Sequence, residues 1–284
     1  MPVLTVGSLP FSGDTSGREG FHYNKLTGWF DLTDSKSDVN ERPQAHGAFG
    51  ISQDWRTSAA ISFHGWFSAS TRAEVIAAKN ALNGALGDGK PKIMTLTDVD
   101  GTTSRVVSVR YVKPNDNRAT LAFEFDVDVI APDPLRYGPE VPVVADVPVA
   151  TGGLIMPLGA GAAIIDFGTG GASGRVAVTN PGTAPTSPAI EVTGGLELGF
   201  VITDTTSNRV IRFERQIPLG STVYINQRTG RAYLDNAASD VSGFLTSRGL
   251  FEIGPGETHQ IQFQPLGAVT GAPQMTLLTA AAYL

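Results

Sequence analysis

The sequence predicts an all-β protein with one short helix, built as an N-terminal β-barrel or sandwich domain followed by a C-terminal two-sheet jelly-roll or sandwich domain. Three observations predict it. Short apolar segments bounded by turn residues recur along most of the 284 residues. A single helical stripe with a capping signature interrupts them near residues 71 to 86. A proline cluster from Pro132 to Pro139 then separates two sets of strands.

Ala59 to Phe67 reads as the first clear strand. Ser70-Thr71-Arg72-Ala73-Glu74 follows, a Thr-x-x-Glu capping box, and Val75, Ala78, Leu82 and Leu86 then fall on one helical stripe. A three-stranded meander comes next: Lys92 to Asp98, a turn at Val99-Asp100-Gly101, Thr102 to Lys113, a turn at Pro114 to Asn117, and Arg118 to Ile130. In its third strand Leu121, Phe123, Phe125, Val127 and Val129 alternate with Ala122, Glu124, Asp126 and Asp128. Period 2 therefore predicts a core face and an acidic face.

Prolines remove backbone donors and push the preceding residue to extended forms, so the run from Ala131 to Pro139 is expected to break any strand. The domain boundary is placed here, giving 1–138 and 139–284, with a glycine-rich connecting segment at 151–174. Short strands then resume: Arg175 to Thr179, Ala189 to Thr193, Phe200 to Asp204, Val210 to Glu214, Thr222 to Asn226, Arg231 to Leu234, Leu250 to Ile253, Thr258 to Gln264 and Gln274 to Ala280. Ser207-Asn208, Arg228-Thr229-Gly230 and Gly254-Pro255-Gly256 supply turn chemistry between them.

Composition narrows the function. Hydrophobic residues make up 41% and charged residues 17%, so the chain can bury a core and is not globally disordered. With no cysteine it has no disulfide, zinc-thiolate site or thiol nucleophile. A net charge of −6 opposes binding nucleic acid through phosphate neutralisation. The start Met1-Pro2-Val3-Leu4 lacks the basic and apolar regions of a signal peptide, and no apolar run approaches a bilayer span, so no membrane contact is expected.

The candidate chemical motifs mostly fail on physical grounds. Gly84 to Lys90 resembles the start of a phosphate-binding loop, but Pro91 stands where a magnesium-binding hydroxyl belongs. The segment also runs from helix to strand, so no helix N-terminus faces a phosphate. Gly168 to Gly174 lacks the third glycine of a dinucleotide fingerprint. His22, His46, His64 and His259 are scattered, with none at i, i+4 metal spacing. No Gly-x-Ser-x-Gly elbow occurs. Glu124, Asp126 and Asp128 have the spacing of a glycosidase pair or calcium site, but cross-strand pairing with Arg110 or Arg118, or solvation, is the expected role. Tyr224 and Tyr233 are weighed as a sugar-stacking surface and expected to pack inward. Trp29, Trp55 and Trp66 suit either core or interface anchors. No catalytic, cofactor-binding or metal residue is assigned, and the chain is expected not to be an enzyme.

Several stretches in fixed order carry a likeness to a known family. In the first half they are Gly20 to Trp29, Arg42 with His46-Gly47, Ile61 to Gly65, and Asp126 to Pro134 with Arg136-Tyr137-Gly138. In the second they are Val178 to Pro185, Pro188 to Gly194, Ile217 to Gly220, Tyr224-Ile225-Asn226, Phe251 to Gly256, Ile261 to Phe263 and Ala282-Tyr283-Leu284. Together they resemble the distal tail proteins, or minor tail proteins, of long-tailed (siphovirus-type) bacteriophages. Asn226 departs from that pattern, in which an acidic residue is common.

The resemblance implies a barrel-like first domain forming a homohexameric ring and a galectin-like second domain, with no catalytic site or cofactor. It further implies a structural part of the virion, made in the host bacterial cytoplasm, that joins the tail tube to the tip or baseplate and its receptor-binding apparatus. Glu124, Asp126 and Asp128 are then expected to face the ring's lumen, where their charge repels passing DNA. Two other readings compete: a carbohydrate-binding module for host surface glycans, and a cell-wall polysaccharide hydrolase.

Overall fold

The computed structural model describes residues 1–14, 19–37, 40–49, 55–116, 120–148 and 173–284. These divide into two compact units, Met1–Pro139 with Tyr283–Leu284, and Glu140–Ala282. The sequence segments at 151–172 and at Arg118 lie outside the described residues.

The first unit comprises β1 (Val3–Val6), β2 (Leu9–Ser12), β3 (Gly20–Thr27), β4 (Ala59–Ser68), α1 (Arg72–Leu86), β5 (Lys92–Asp98), β6 (Gly101–Asp116) and β7 (Ala122–Ala131). The strands run β6-β5-β1-β2-β3-β4-β7, and pairing of β7 back onto β6 closes them into a barrel. Closure removes the exposed edges that an open sheet would present. All pairings are antiparallel except β2 with β3, parallel at Ser12 and His22.

Inside the barrel, Leu4, Val6, Phe11, Ile61, Phe63, Met94, Phe123, Phe125 and Val127 are buried with the Val75, Ala78, Leu82 and Leu86 stripe of α1. Phe125 lies at the centre of a ring cluster, 5.5 Å from Phe11 and 6.0 Å from Phe21 by ring centroids. The β-carbon missing from Gly65 leaves room for this cluster, since a Cβ there would sit 2.5 Å from the Phe125 ring. The capping box predicted for α1 is present: the Glu74 amide donates to Thr71 Oγ1, and the Thr71 amide donates to the Glu74 carboxylate. Each bond satisfies an amide that the helix leaves unpaired.

The meander forms as expected, with two changes. Strand β6 continues through Pro114 to Asp116, and β7 begins at Ala122. Leu121, expected to face the core, precedes β7 and is exposed, its carbonyl accepting from the Ala69 amide. The alternation from Phe123 onward holds.

The expected break from Ala131 to Pro139 is also shorter than predicted. Strand β8 spans Arg136–Asp146 and includes Pro139 and Pro142, both exposed. A proline forfeits only its own N–H, so a strand tolerates it where that edge needs no partner.

The second unit is a two-sheet sandwich. Its remaining strands are β9 (Arg175–Thr179), β10 (Ala189–Thr193), β11 (Phe200–Asp204), β12 (Arg209–Phe213), β13 (Thr222–Asn226), β14 (Arg231–Leu234), β15 (Leu245–Arg248), β16 (Thr258–Pro265) and β17 (Gln274–Tyr283). One sheet orders β14-β13-β10-β17-β8 and the other β15-β12-β11-β16-β9. Phe200, Phe213 and Phe263 from the second sheet pack with Ile190, Val223, Ile225 and Leu277 from the first in one core.

The strand expected from Leu250 to Ile253 is not formed. Phe251 and Ile253 are buried, but the Phe251 amide donates to the side chain of Gln227 instead of a neighbouring strand, leaving one isolated bridge between Ile253 and Thr186.

Candidate functional site

Three groups of polar or aromatic side chains stand out. The first is the acidic face of β7. Strands β4 and β6 flank β7, and their outward side chains meet Glu124, Asp126 and Asp128 in register: Trp66, His64 and Ser62 on one side, Asn115, Lys113 and Tyr111 on the other. His64 Nδ1 lies 2.7 Å from Asp126 Oδ1, with both side chains partly in solvent. A bulge between Val109 and Tyr111 skips Arg110, so that residue does not become the cross-strand partner expected for the ladder. The three carboxylates line the outside of a closed barrel along one strand, an arrangement suited to solvation.

Beside the ladder, the Trp66 ring stacks on His22 at 4.2 Å. His22 is buried and donates from Nδ1 to the Asp14 carbonyl, 2.6 Å away. The three tryptophans thus take separate roles: Trp29 is 1% exposed and in the core, Trp66 is half-buried, and Trp55 is 63% exposed.

The second group is a buried arginine that the sequence analysis did not single out. Arg105 occupies a core-facing position of β6 and is 3% exposed. Its guanidinium donates to the carbonyls of Gly28 and Pro134 and lies 5.3 Å over the Trp29 ring. Burial, and secondarily the neighbouring Arg136, lower its pKa to about 10, with Asp133 opposing them. This clamp ties the start of the β3–β4 connection to the proline-rich run. A charge on core parity, two residues before buried Val107, was the available signal.

The third group is in the second unit. Asp204, at the end of β11, is fully buried and accepts hydrogen bonds from Ser207 Oγ, the Thr206 amide and His259 Nδ1, the last at 2.7 Å. Desolvation alone would raise its pKa, but these hydrogen bonds outweigh it and hold the carboxyl below its ordinary value. His259 Nε2 faces Glu257 at 3.4 Å. Serine, histidine and aspartate meet here without forming an acyl-transfer triad, because Ser207 bonds the aspartate and Glu257 faces the distal imidazole nitrogen. The cluster pins the β11–β12 turn, where Asn208 adopts φ 55°, to β16. His46 is exposed, and among the described residues no three His, Asp or Glu side chains group to hold a metal ion.

Tyr224 and Tyr233 correct an expectation. They face each other across β13 and β14, while Val223, Ile225 and Ala232 take the inward positions. Tyr224 is 38% exposed, so the pair lies on the sandwich's outer surface. At one end of the same unit, Ser187, Ser207, Arg209, Gln227, Arg228 and Glu252 help line a groove of about 480 Å³. The Gly84 to Lys90 segment is a helix-to-strand turn, with Gly87 capping α1 and Lys92 Nζ 2.5 Å from Asp88. No helix among the described residues is long and apolar enough to cross a membrane.

This barrel-and-sandwich arrangement is the fold of bacteriophage tail-hub and baseplate proteins. The chain superposes over its full length on the SPP1 Dit (gp 19.1) protein, described as a paradigm of the hub adsorption apparatus in phages infecting Gram-positive bacteria. The TM-score is 0.64 at 12% identity, with 100% of each chain covered. A chain of the phage P2 baseplate in its activated conformation with Ca aligns with a TM-score of 0.57 at 9% identity, again over 100% of both, and the form with Sr gives the same values. The sequence matches no protein-family model and no curated protein.

Proposed function

We propose that this chain is a structural component of a bacteriophage tail, a distal tail protein that forms a hexameric ring joining the tail tube to the tip or baseplate. The observation that carries this reading is the end-to-end match of both units to hub and baseplate proteins, with 100% of each chain covered. In this reading the first unit supplies the ring, and a heterologous contact repeated by rotation closes it. The ladder of Glu124, Asp126 and Asp128 faces the lumen and keeps exiting DNA from adhering. Its role is positional and requires no catalysis. Mass photometry and negative-stain imaging of the purified chain test the proposal: sixfold rings are the expected result, and a monomer at every concentration overturns it.

A second reading has one observation in its favour, the outward Tyr224 and Tyr233 pair on the second unit. Paired exposed aromatics provide a stacking surface for sugar rings. A glycan array over host wall polysaccharides tests it, and equal signal from the wild type and the Tyr224→Ala, Tyr233→Ala variant removes it.

A further inference from the structure

The groove of about 480 Å³ at one end of the second unit is assembled from both sheets. Arg209 opens β12 in one sheet, Arg228 follows β13 in the other, and Leu250, Phe251 and Glu252 come from the segment after β15. Its volume falls within the roughly 300–1,000 Å³ typical of small-molecule sites.

Buried hydrogen bonds fix the walls. Gln227, 4% exposed, lines the groove and ties two of its segments together. Its Nε2 donates to the Pro188 carbonyl at 2.9 Å, and its Oε1 accepts from the Phe251 amide at 3.0 Å. Asn226 Oδ1 accepts from the amides of Arg228 and Thr229, which holds the turn carrying Arg228. On the opposite wall Ser207 Oγ donates to the buried Asp204 carboxylate, next to Arg209. A site whose walls are held before a ligand arrives loses less freedom on binding.

The charge in the groove selects the ligand. Between residues 175 and 284 no lysine occurs, so the fixed cations there are all guanidiniums, whose planar forks match oxyanions in bidentate fashion. Arg209 and Arg228 are set against one carboxylate, Glu252, which accepts from Ser187 Oγ at 3.3 Å. The groove is thus locally positive on a chain of net charge −6. A phosphate monoester offers three oxygens and a charge of about −1.5 to −2, enough for two guanidiniums, whereas a carboxylate offers two oxygens and one charge.

The groove is also larger than a bare oxyanion requires. Leu250 and Phe251 give it apolar surface, while Ser187, Ser207 and Glu252 can exchange hydrogen bonds with hydroxyl groups. We propose that this groove binds a phosphorylated sugar or polyol, with Arg209 and Arg228 on the phosphate and Ser187 and Glu252 on the hydroxyls. The site is separate from the Tyr224 and Tyr233 pair and does not depend on the ring reading.

Isothermal titration calorimetry of the full chain tests this with glucose 6-phosphate, glucose and inorganic phosphate. Glucose 6-phosphate is expected to bind at least about 10-fold more tightly than either of the others, because only it engages both halves of the groove. Arg209→Gln with Arg228→Gln is expected to weaken it by about 10-fold or more. Arg212→Gln with Arg231→Gln removes the same charge outside the groove and is expected to bind like the wild type. Ser187→Ala, a mild change at a half-buried position, is expected to weaken glucose 6-phosphate but not inorganic phosphate, and it decides the matter if circular dichroism shows the double arginine variant unfolded. Glycerophosphoglycerol in parallel separates a free monoester from a phosphodiester unit of a polymer, and tighter binding of either supports the site and assigns its source. Equal binding of inorganic phosphate and glucose 6-phosphate would mean an adventitious ion only and overturns the proposal. So does the absence of binding, or an equal loss in the Arg212 and Arg231 variant.

Discussion

His259 Nδ1 lies 2.7 Å from Asp204 Oδ2, joining β16 to the end of β11 where neither side chain reaches solvent. The carboxylate is held ionised by donors on three sides, and removing its charge leaves those donors inside the sandwich without an acceptor.

Asp204→Asn is expected to cost about 2–4 kcal/mol at neutral pH, since a buried carboxylate accepting several hydrogen bonds is lost. The folded-state pKa is depressed, so this stabilisation is fully present above the unfolded value of about 3.9 and is lost as pH falls through the lower folded value. Urea denaturation of both forms from pH 7 to pH 3 should show the gap narrowing below about pH 4. A gap that is constant with pH contradicts the assignment.

Gly65→Ala is expected to destabilise the barrel by about 1–3 kcal/mol through overpacking. The new Cβ would lie 2.2 Å from the His22 carbonyl oxygen and 2.5 Å from Phe125, so β3 or the aromatic cluster has to move. Denaturant midpoints measure this, and an unchanged midpoint counts against the close approach.

Tyr224 and Ile225 are neighbours with opposite fates. Ile225→Ala should cost about 2–5 kcal/mol as a core truncation, and Tyr224→Ala less than about 1 kcal/mol. Equal losses on thermal unfolding would place Tyr224 in the core after all.

Arg105→Lys keeps a positive charge but cannot reach two carbonyls while stacking on Trp29. It is expected to lower stability by about 1–3 kcal/mol. A fully stable lysine variant would show that the clamp contributes little.

The elements legible in the sequence are those whose pattern is local. The helix shows itself because Thr71, Glu74 and the Val75-to-Leu86 stripe satisfy capping and burial within one turn-to-turn repeat. The meander shows itself because strand period and turn residues coincide over thirty-odd contiguous positions. Strands β1 and β2 have only four residues each, too few for period 2 to register. They form because β1 completes the ladder between β5 and β2.

The polar sites were less legible for the same reason. His259 and Asp204 are 55 residues apart, and no spacing rule connects them; only the pairing of β11 with β16 does. Similarly, alternation put Tyr224 and Ile225 on opposite faces of β13 but did not say which face was inside. The opposing sheet decided that by burying Ile225. The sequence by itself determined the all-β class, the capped helix and the alternating acidic strand, because these depend on neighbours along the chain. Only the tertiary structure decided the barrel's closure, the buried Asp204–His259 pair and the outward Tyr224–Tyr233 pair, because each depends on which distant strands pair and which side of each then meets water.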